Sequence, residues 1–143
     1  MAMKSLKEMQ ETALDATKPG TVNPVEMLRL EALTSFEKYT KLMFKCQYKR
    51  SFIVAEHHKK MFEVLQDVVD GKITRLIINI APRYSKTEVV IKSFISWAFA
   101  LNPRCRFLHL SYSDILVNDN SETIRNIMQE ELYKTLFPNS ALA

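Results

Sequence analysis

Residues 81–87, Ala-Pro-Arg-Tyr-Ser-Lys-Thr, place an arginine, a lysine and hydroxyl side chains within one short segment. The segment follows an apolar run at residues 76–80 and precedes a longer apolar stretch with helical spacing. In a nucleotide-binding loop of this layout, a lysine contacts the β- and γ-phosphates and the next Ser or Thr hydroxyl binds Mg²⁺. Backbone N–H groups at the start of the helix surround the phosphate oxygens. Lys86 and Thr87 have the types and the order that this chemistry requires.

The usual pattern for such a loop, G-x-x-x-x-G-K-[ST], has Ile80 and Ser85 at its glycine positions here. On spacing alone, an ordinary turn that exposes its lysine explains the segment better than a phosphate site does, and the position of the loop between a buried strand and a buried helix favours the phosphate site. A cation in the first turn of a helix is slightly unfavourable unless an anion lies nearby, which favours phosphate binding. Pro82 would stiffen the turn, and Arg83 could donate two N–H groups to one phosphate.

The segments around the loop predict alternating strands and helices. Residues 76–80 and 106–111 are short apolar runs of the kind found in strands buried on both faces. Residues 87–101 read as a buried helix that Asn102-Pro103 ends, and Ser113-Asp114 would begin a last helix. Strand, loop, helix, strand and helix form a βαβα unit with parallel strands and a right-handed crossover. The predicted fold class is therefore α/β, with a partial parallel sheet like that of P-loop NTPases.

The first half of the chain reads as helical. Residues 4–16 predict a weakly amphipathic helix, Asn23-Pro24 a helix start, and residues 58–69 an amphipathic helix that Gly71 ends. We therefore expect an N-terminal helix and linker at 1–22, a helical region at 23–71 and a partial nucleotide-binding domain at 72–143. The lysines of residues 38–49 recur at helical spacing and could face either DNA phosphates or solvent.

The composition excludes some classes of function but does not identify one. A net charge of +4 allows an anionic partner but does not require one. Cys46 and Cys105 lie far apart without a Cys/His pattern, which argues against structural zinc and for a reducing compartment. The first thirty residues are charged throughout and the apolar runs are too short to span a bilayer, so we expect a soluble cytoplasmic protein without a membrane partner.

The stretch "GKITRLIINIAPRYSKTEVVIKSFISWAFALNPRCRFLHLSYSDILVNDNSETIRNIM" resembles the start of the ATPase domain in large terminase subunits of tailed bacteriophages. The resemblance covers about residues 50–130. It is carried by residues 81–87, which match a variant phosphate-binding loop [AP]-P-R-x-x-K-[ST], by Asn102-Pro103, and by Ser111-Tyr112-Ser113 after the second apolar run. In many members of that family a glycine occupies the place of Ser85.

The resemblance implies a motor that hydrolyses ATP, with Mg²⁺, to drive double-stranded DNA into a preformed capsid, and that cleaves DNA with a separate nuclease domain. Its implied partners are the DNA, a small terminase subunit and the portal protein, on which the subunits form a ring. The implied location is the cytoplasm of a phage-infected or prophage-carrying bacterium.

The resemblance also implies the roles of the loop residues. Lys86 would contact the β/γ-phosphates, Thr87 would hold Mg²⁺, and Arg83 would act on the γ-phosphate in cis, which makes Arg83 and Lys86 the expected catalytic residues. Residues 82–87 as a group would bind the nucleotide; they are Pro82, Arg83, Tyr84, Ser85, Lys86 and Thr87. For the adenine ring, the preceding segment offers only Gln47 and His57.

ATP hydrolysis also needs a carboxylate for the metal and another to orient water, and no apolar run ending in such a pair follows Lys86. Glu130-Glu131 is expected inside the last helix, facing solvent. We therefore expect an N-terminal fragment of a terminase large subunit that binds ATP but does not turn it over alone. Two alternatives stay open: a non-catalytic DNA- or portal-binding module with a vestigial loop, and another P-loop enzyme, such as a helicase-like ATPase, that shares only the strand, loop and helix.

Overall fold

The computed structural model describes residues 23–140, and within them the regular structure is helical. A π-helix at Thr87–Ser93 continues directly into one of the α-helices. The α-helices are α1 (Pro24–Thr34), α2 (Phe36–Tyr48), α3 (Glu56–Val69), α4 (Phe94–Leu101), α5 (Asp114–Gln129) and α6 (Glu131–Leu136). The helix predicted at 4–16 and the linker up to residue 22 lie outside the described residues.

Neither predicted strand is present between residues 23 and 140. Residues 76–80 and 106–111 are irregular segments without ladder hydrogen bonds, so the predicted α/β class, with its parallel sheet and βαβα unit, is wrong for the described chain. Ile77 and Leu108, expected inside the sheet, are 93% and 85% exposed. A short apolar run does not by itself form a strand, because a strand also needs a neighbouring strand with which to make hydrogen bonds.

The start of α1 is confirmed. Asn23 Oδ1 accepts a hydrogen bond from the Val25 N–H at 3.0 Å, and Pro24 occupies the first helical position. The apolar spacing that continues beyond residue 34 belongs to a second helix, because Ser35 has extended backbone and its Oγ accepts from the Lys38 N–H at 3.3 Å. Ser35 thus caps a new helix within one continuous apolar stripe, and the stripe is shared between α1 and α2.

The predicted ends of the next helices are also confirmed. Gly71, one residue beyond the cap of α3, has a φ of 75°, a left-handed conformation that glycine adopts without steric cost. Asn102 has extended backbone and ends α4. The last predicted helix is divided, because Glu130 leaves helical geometry and separates α5 from α6.

Trp97 lies at the centre of the core. Its side chain is fully buried, and its Nε1–H donates to the Ala32 carbonyl of α1 at 2.9 Å. The ring of Phe36, at the start of α2, lies 5.0 Å from the indole and makes edge-on contacts with Phe62 and Phe94. These contacts join α1, α2, α3 and α4 through one aromatic cluster, which fixes the helix that follows the loop.

Buried hydroxyls add a second link around α4. The Tyr39 hydroxyl donates to Ser96 Oγ at 2.8 Å, and the Tyr133 hydroxyl donates to the Ser96 carbonyl at 3.0 Å. Burial raises the pKa of Tyr133 to about 12 and that of Tyr39 well above its ordinary value, so both rings stay neutral donors. α2 and α6 are thereby tied to the same turn of α4.

None of the helices between residues 23 and 140 has the length and apolar character needed to cross a bilayer.

Candidate phosphate-binding site

The loop at residues 81–86 has alternating backbone conformations. Arg83 and Ser85 have positive φ values of 69° and 57°, whereas Lys86 is right-handed at a φ of −53° and Tyr84 does not have positive φ. Alternation of this kind turns successive N–H groups toward one side, which creates a concave site for an anion. Ser85, at the position where the usual pattern has glycine, thus adopts the left-handed conformation that favours glycine.

Several backbone donors of the loop are not used by the fold. The Val89 N–H donates to the Ser85 carbonyl at 3.0 Å and so closes the loop onto the helix. Within the described chain, no N–H group of residues 84–88 donates to another residue. The helix begins with the π-helical turns of Thr87–Ser93, a rare geometry that occurs often at functional sites. These free donors and the positive end of the helix would favour an anion in front of Lys86.

The charged side chains of the loop are positive. Arg83 and Lys86 are exposed, and neither makes an ion pair with any residue of the described chain. The nearest acid in sequence, Glu88, is already engaged: its Oε2 accepts a hydrogen bond from the Tyr48 hydroxyl and forms an ion pair with Lys92 Nζ, each at 3.2 Å. Because Glu88 is held by these partners, it leaves the positive charge of Arg83 and Lys86 uncompensated.

The metal role predicted for Thr87 fits the structure only with a nucleotide present. Its side chain is exposed and makes no hydrogen bond to another described residue. Residues 23–140 contain no group of three or more His, Cys, Asp or Glu side chains that could hold a metal ion by themselves. A Mg²⁺ ion at Thr87 would therefore need phosphate oxygens for most of its ligands.

Of the adenine candidates, only His57 contacts the loop. Its ring meets the Tyr84 ring edge-on, with 5.3 Å between centroids. Gln47 lines a separate open cleft of about 500 Å³ with Asn126 and Gln129, and no residue of the loop lines this cleft. Tyr48, which contacts Glu88 just after the loop, was not predicted as a neighbour of the site, because this contact joins distant parts of the chain.

The predicted features on the C-terminal side of the loop have less support in the structure. Ser113 is the N-cap residue of α5, but its side chain makes no capping hydrogen bond, and Tyr112 is 94% exposed. Glu130 and Glu131 lie at the junction of α5 and α6 rather than inside one helix, and the Glu130 carboxylate accepts a hydrogen bond from the Cys46 thiol at 3.6 Å.

The lysine stripe on α2 is partly neutralised. Lys38 pairs with Glu31 at 3.4 Å, and Lys41 pairs with Glu37 one turn away. Lys45 and Lys49, nearer the end of α2, make no ion pair within the described chain.

The conformation of Ser85 leads to a direct prediction. Ser85→Gly should raise the free energy of unfolding by about 0.5–1 kcal/mol, because a non-glycine residue pays roughly 1–2 kcal/mol in left-handed backbone while glycine loses more entropy on folding. Urea denaturation measures this change. As a control, Ser121→Gly within the right-handed α5 should lower the same free energy by about 0.5 kcal/mol. Equal destabilisation by both substitutions would contradict a left-handed Ser85.

Comparison of the chain with protein-family models, with curated proteins and with solved structures found no match.

Proposed function

We propose that residues 82–88 bind the phosphates of Mg-ATP, and that the chain is the N-terminal part of a DNA-packaging ATPase like the large terminase subunits of tailed bacteriophages. The observation that carries this proposal is the left-handed conformation of Ser85 directly before Lys86. A serine in this backbone is unfavourable, and such strain is found most often at ligand sites. The N–H groups of residues 84–88, which donate to no residue between 23 and 140, support the same ligand.

Each residue of the proposed site has a defined task. Lys86 contacts the β- and γ-phosphates, and Arg83 donates to the γ-phosphate from the opposite end of the loop. The Thr87 hydroxyl binds the Mg²⁺ that arrives with the nucleotide, and this ion neutralises charge on the phosphates when bound. Pro82 limits the freedom of the turn, while Tyr84 and Ser85 contribute backbone N–H groups.

The wider proposal concerns the machine to which the site belongs. Double-stranded DNA is its substrate, and a small terminase subunit and a portal protein are its partners in a bacterial cytoplasm, with subunits arranged as a ring. Lys45 and Lys49 are the α2 lysines best suited to DNA phosphates, because they make no ion pair within residues 23–140.

Binding and hydrolysis are separable in this proposal. A group that binds ground state and transition state equally well does not accelerate the reaction, and acceleration also needs carboxylates that hold the metal and orient water. Glu88 is the acid adjacent to Thr87, and it is committed to Tyr48 and Lys92. The 143-residue chain is therefore proposed to bind ATP with negligible turnover, and the full-length protein to be the ATPase.

Calorimetric titration with Mg-ATP, paired with a phosphate-release assay on the same sample, tests this function. We expect saturable binding of one nucleotide per chain and phosphate release close to the uncatalysed rate. Absence of binding by a folded sample would contradict the phosphate site. Steady hydrolysis that Lys86→Ala abolishes would contradict the separation of binding from chemistry and would require a catalytic acid within this chain.

A further inference from the structure

The Glu88 carboxylate is mostly buried, although it lies in the first turn of the helix that follows the loop. Its side chain is 17% exposed and that of its ion-pair partner Lys92 is 20% exposed, with 3.2 Å between Oε2 and Nζ. This is the least exposed ion pair among residues 23–140. A pair that is shielded from water is screened less by salt than a surface pair, so Lys92 holds the carboxylate firmly.

The Tyr48 hydroxyl holds the same carboxylate from a second helix. Tyr48 is the last residue of α2, and its ring packs against Phe44 with 4.6 Å between centroids. Its hydroxyl donates to Glu88 Oε2 at 3.2 Å. Burial and the nearby Glu88 carboxylate raise the pKa of Tyr48, so the phenol keeps the proton that it donates. The Glu88 carboxylate is therefore fixed both from α2 and from its own helix.

Without these partners, the Glu88 carboxylate would turn toward the loop. Side chains lean toward the N-terminus of their helix, and the positive end of the helix stabilises a carboxylate in the first turn. Lys86 and the N–H groups of residues 84–88 lie at that end. Lys92 lies four residues further from the loop, so the ion pair draws the carboxylate the opposite way. A freed Glu88 would compete with phosphate as an anion of the chain itself.

We propose that Lys92 and Tyr48 are positioning residues for the phosphate-binding site: they hold the Glu88 carboxylate and so keep its negative charge out of the place that the phosphates occupy. The proposal rests on the function proposed above for its effect on nucleotide affinity. The two contacts that carry it, an ion pair and a hydrogen bond to the same carboxylate oxygen, are present without a nucleotide.

Three substitutions separate this role from a general effect on charge or packing. Lys92→Met removes the ion-pair partner and keeps a long apolar side chain, while Tyr48→Phe removes only a hydroxyl. Glu88→Gln removes the negative charge and keeps an oxygen that can accept from Tyr48. Lys92→Met and Tyr48→Phe are each made in the wild-type protein and in Glu88→Gln, and urea denaturation establishes which variants are folded. If Lys92→Met does not fold, Tyr48→Phe gives the same comparison without the loss of a charge.

The Kd for Mg-ATP is measured in both backgrounds by calorimetric titration. With Glu88 present, we expect Lys92→Met to raise Kd roughly tenfold, because an uncompensated carboxylate repels the phosphates. We expect Tyr48→Phe to raise Kd roughly fivefold, since the ion pair is retained and one hydrogen bond is lost. In Glu88→Gln, neither substitution should change Kd by more than about twofold, because the charge through which both act is absent.

The contact itself is measured without nucleotide, from the pH titration of the Tyr48 phenol. The tyrosine rings are labelled with ¹³C, and the Tyr48 signal is assigned by its absence in Tyr48→Phe. Because the Glu88 charge raises the pKa of Tyr48, we expect this pKa to fall in Glu88→Gln. Because Lys92 lowers the same pKa, we expect it to rise in Lys92→Met.

An equal rise of Kd in both backgrounds would overturn the proposal, because Lys92 and Tyr48 would then act without Glu88. An unchanged Kd in Lys92→Met and Tyr48→Phe would also overturn it. If the pKa of Tyr48 does not fall in Glu88→Gln while the wild-type protein binds Mg-ATP, the positioning role fails and the phosphate site stands. If this pKa falls and the wild-type protein does not bind Mg-ATP, the hold on Glu88 stands and the nucleotide function is the part that fails.

Discussion

Replacing Lys86 with alanine should remove most of the stabilisation that Mg-ATP gives to this protein. Ligand binding to the folded state alone adds about 2.7 kcal/mol at a concentration of 100 times Kd. Lys86 is exposed and unpaired within residues 23–140, so its removal should change the ligand-free free energy of unfolding by less than about 0.5 kcal/mol. Thermal or urea unfolding with and without Mg-ATP measures both quantities.

Lys45→Ala is the matched control for this experiment. Lys45 is also exposed and without an ion pair in the described chain, but it lies on α2, so the substitution removes the same charge from a different surface. We expect Lys45→Ala to keep the full Mg-ATP shift. If both variants lose it equally, the nucleotide responds to overall charge and not to the loop.

Trp97→Ala should lower the free energy of unfolding by about 3–5 kcal/mol, a large part of the roughly 5–15 kcal/mol typical of a domain. The indole is fully buried against Phe36, and its loss opens a cavity among α1, α2 and α4. It also leaves the Ala32 carbonyl without its donor, which adds the cost of an unsatisfied buried group. Urea denaturation measures the change.

Tyr112→Ala provides the comparison, because this aromatic side chain is 94% exposed. We expect it to change the free energy of unfolding by less than about 0.5 kcal/mol. Trp97→Phe should fall between the two, since it keeps most of the ring but loses the N–H. A Trp97→Ala protein as stable as the wild type would contradict the described core.

Helix positions could be predicted from the sequence because their signals are local. Asn23-Pro24, Gly71 and Asn102 act within a few residues of themselves, and each marks a helix end in the structure. Ser35 was not anticipated as a boundary. The helical spacing of apolar residues continues on both sides of Ser35, but its side chain caps a new helix there and so sets the boundary.

The prediction of two strands was wrong for a different physical reason. A strand is stabilised by hydrogen bonds to a neighbour, so no property of residues 76–80 or 106–111 alone determines whether they pair. Exposed Ile77 and Leu108 show that apolar character did not lead to burial in the described chain. A buried helix with the same composition has its hydrogen bonds within itself, which is why residues 87–101 were predicted correctly as helical.

The residue types of the candidate site could be predicted from the sequence, but the backbone conformation of the loop and its contacts with distant residues could not. The order of Arg83, Lys86 and Thr87 is visible in the sequence, whereas the left-handed backbone of Ser85 contradicts what a serine normally prefers. The contact of Tyr84 with His57, and that of Glu88 with Tyr48, join residues far apart in sequence. Such contacts depend on how α2 and α3 pack, and no local pattern reports that packing.

A ¹H–¹⁵N spectrum of the wild-type protein tests the phosphate-binding role of the loop most directly. It is recorded during titration with Mg-ATP and, as a control, with Mg²⁺ alone. We expect the amide resonances of residues 84–88 to shift most with Mg-ATP, because these N–H groups donate to no other residue in the described chain before the phosphates arrive. If Mg-ATP binds and the largest shifts fall instead on α2 or on the cleft lined by Gln47, the phosphate-binding role of the loop is contradicted.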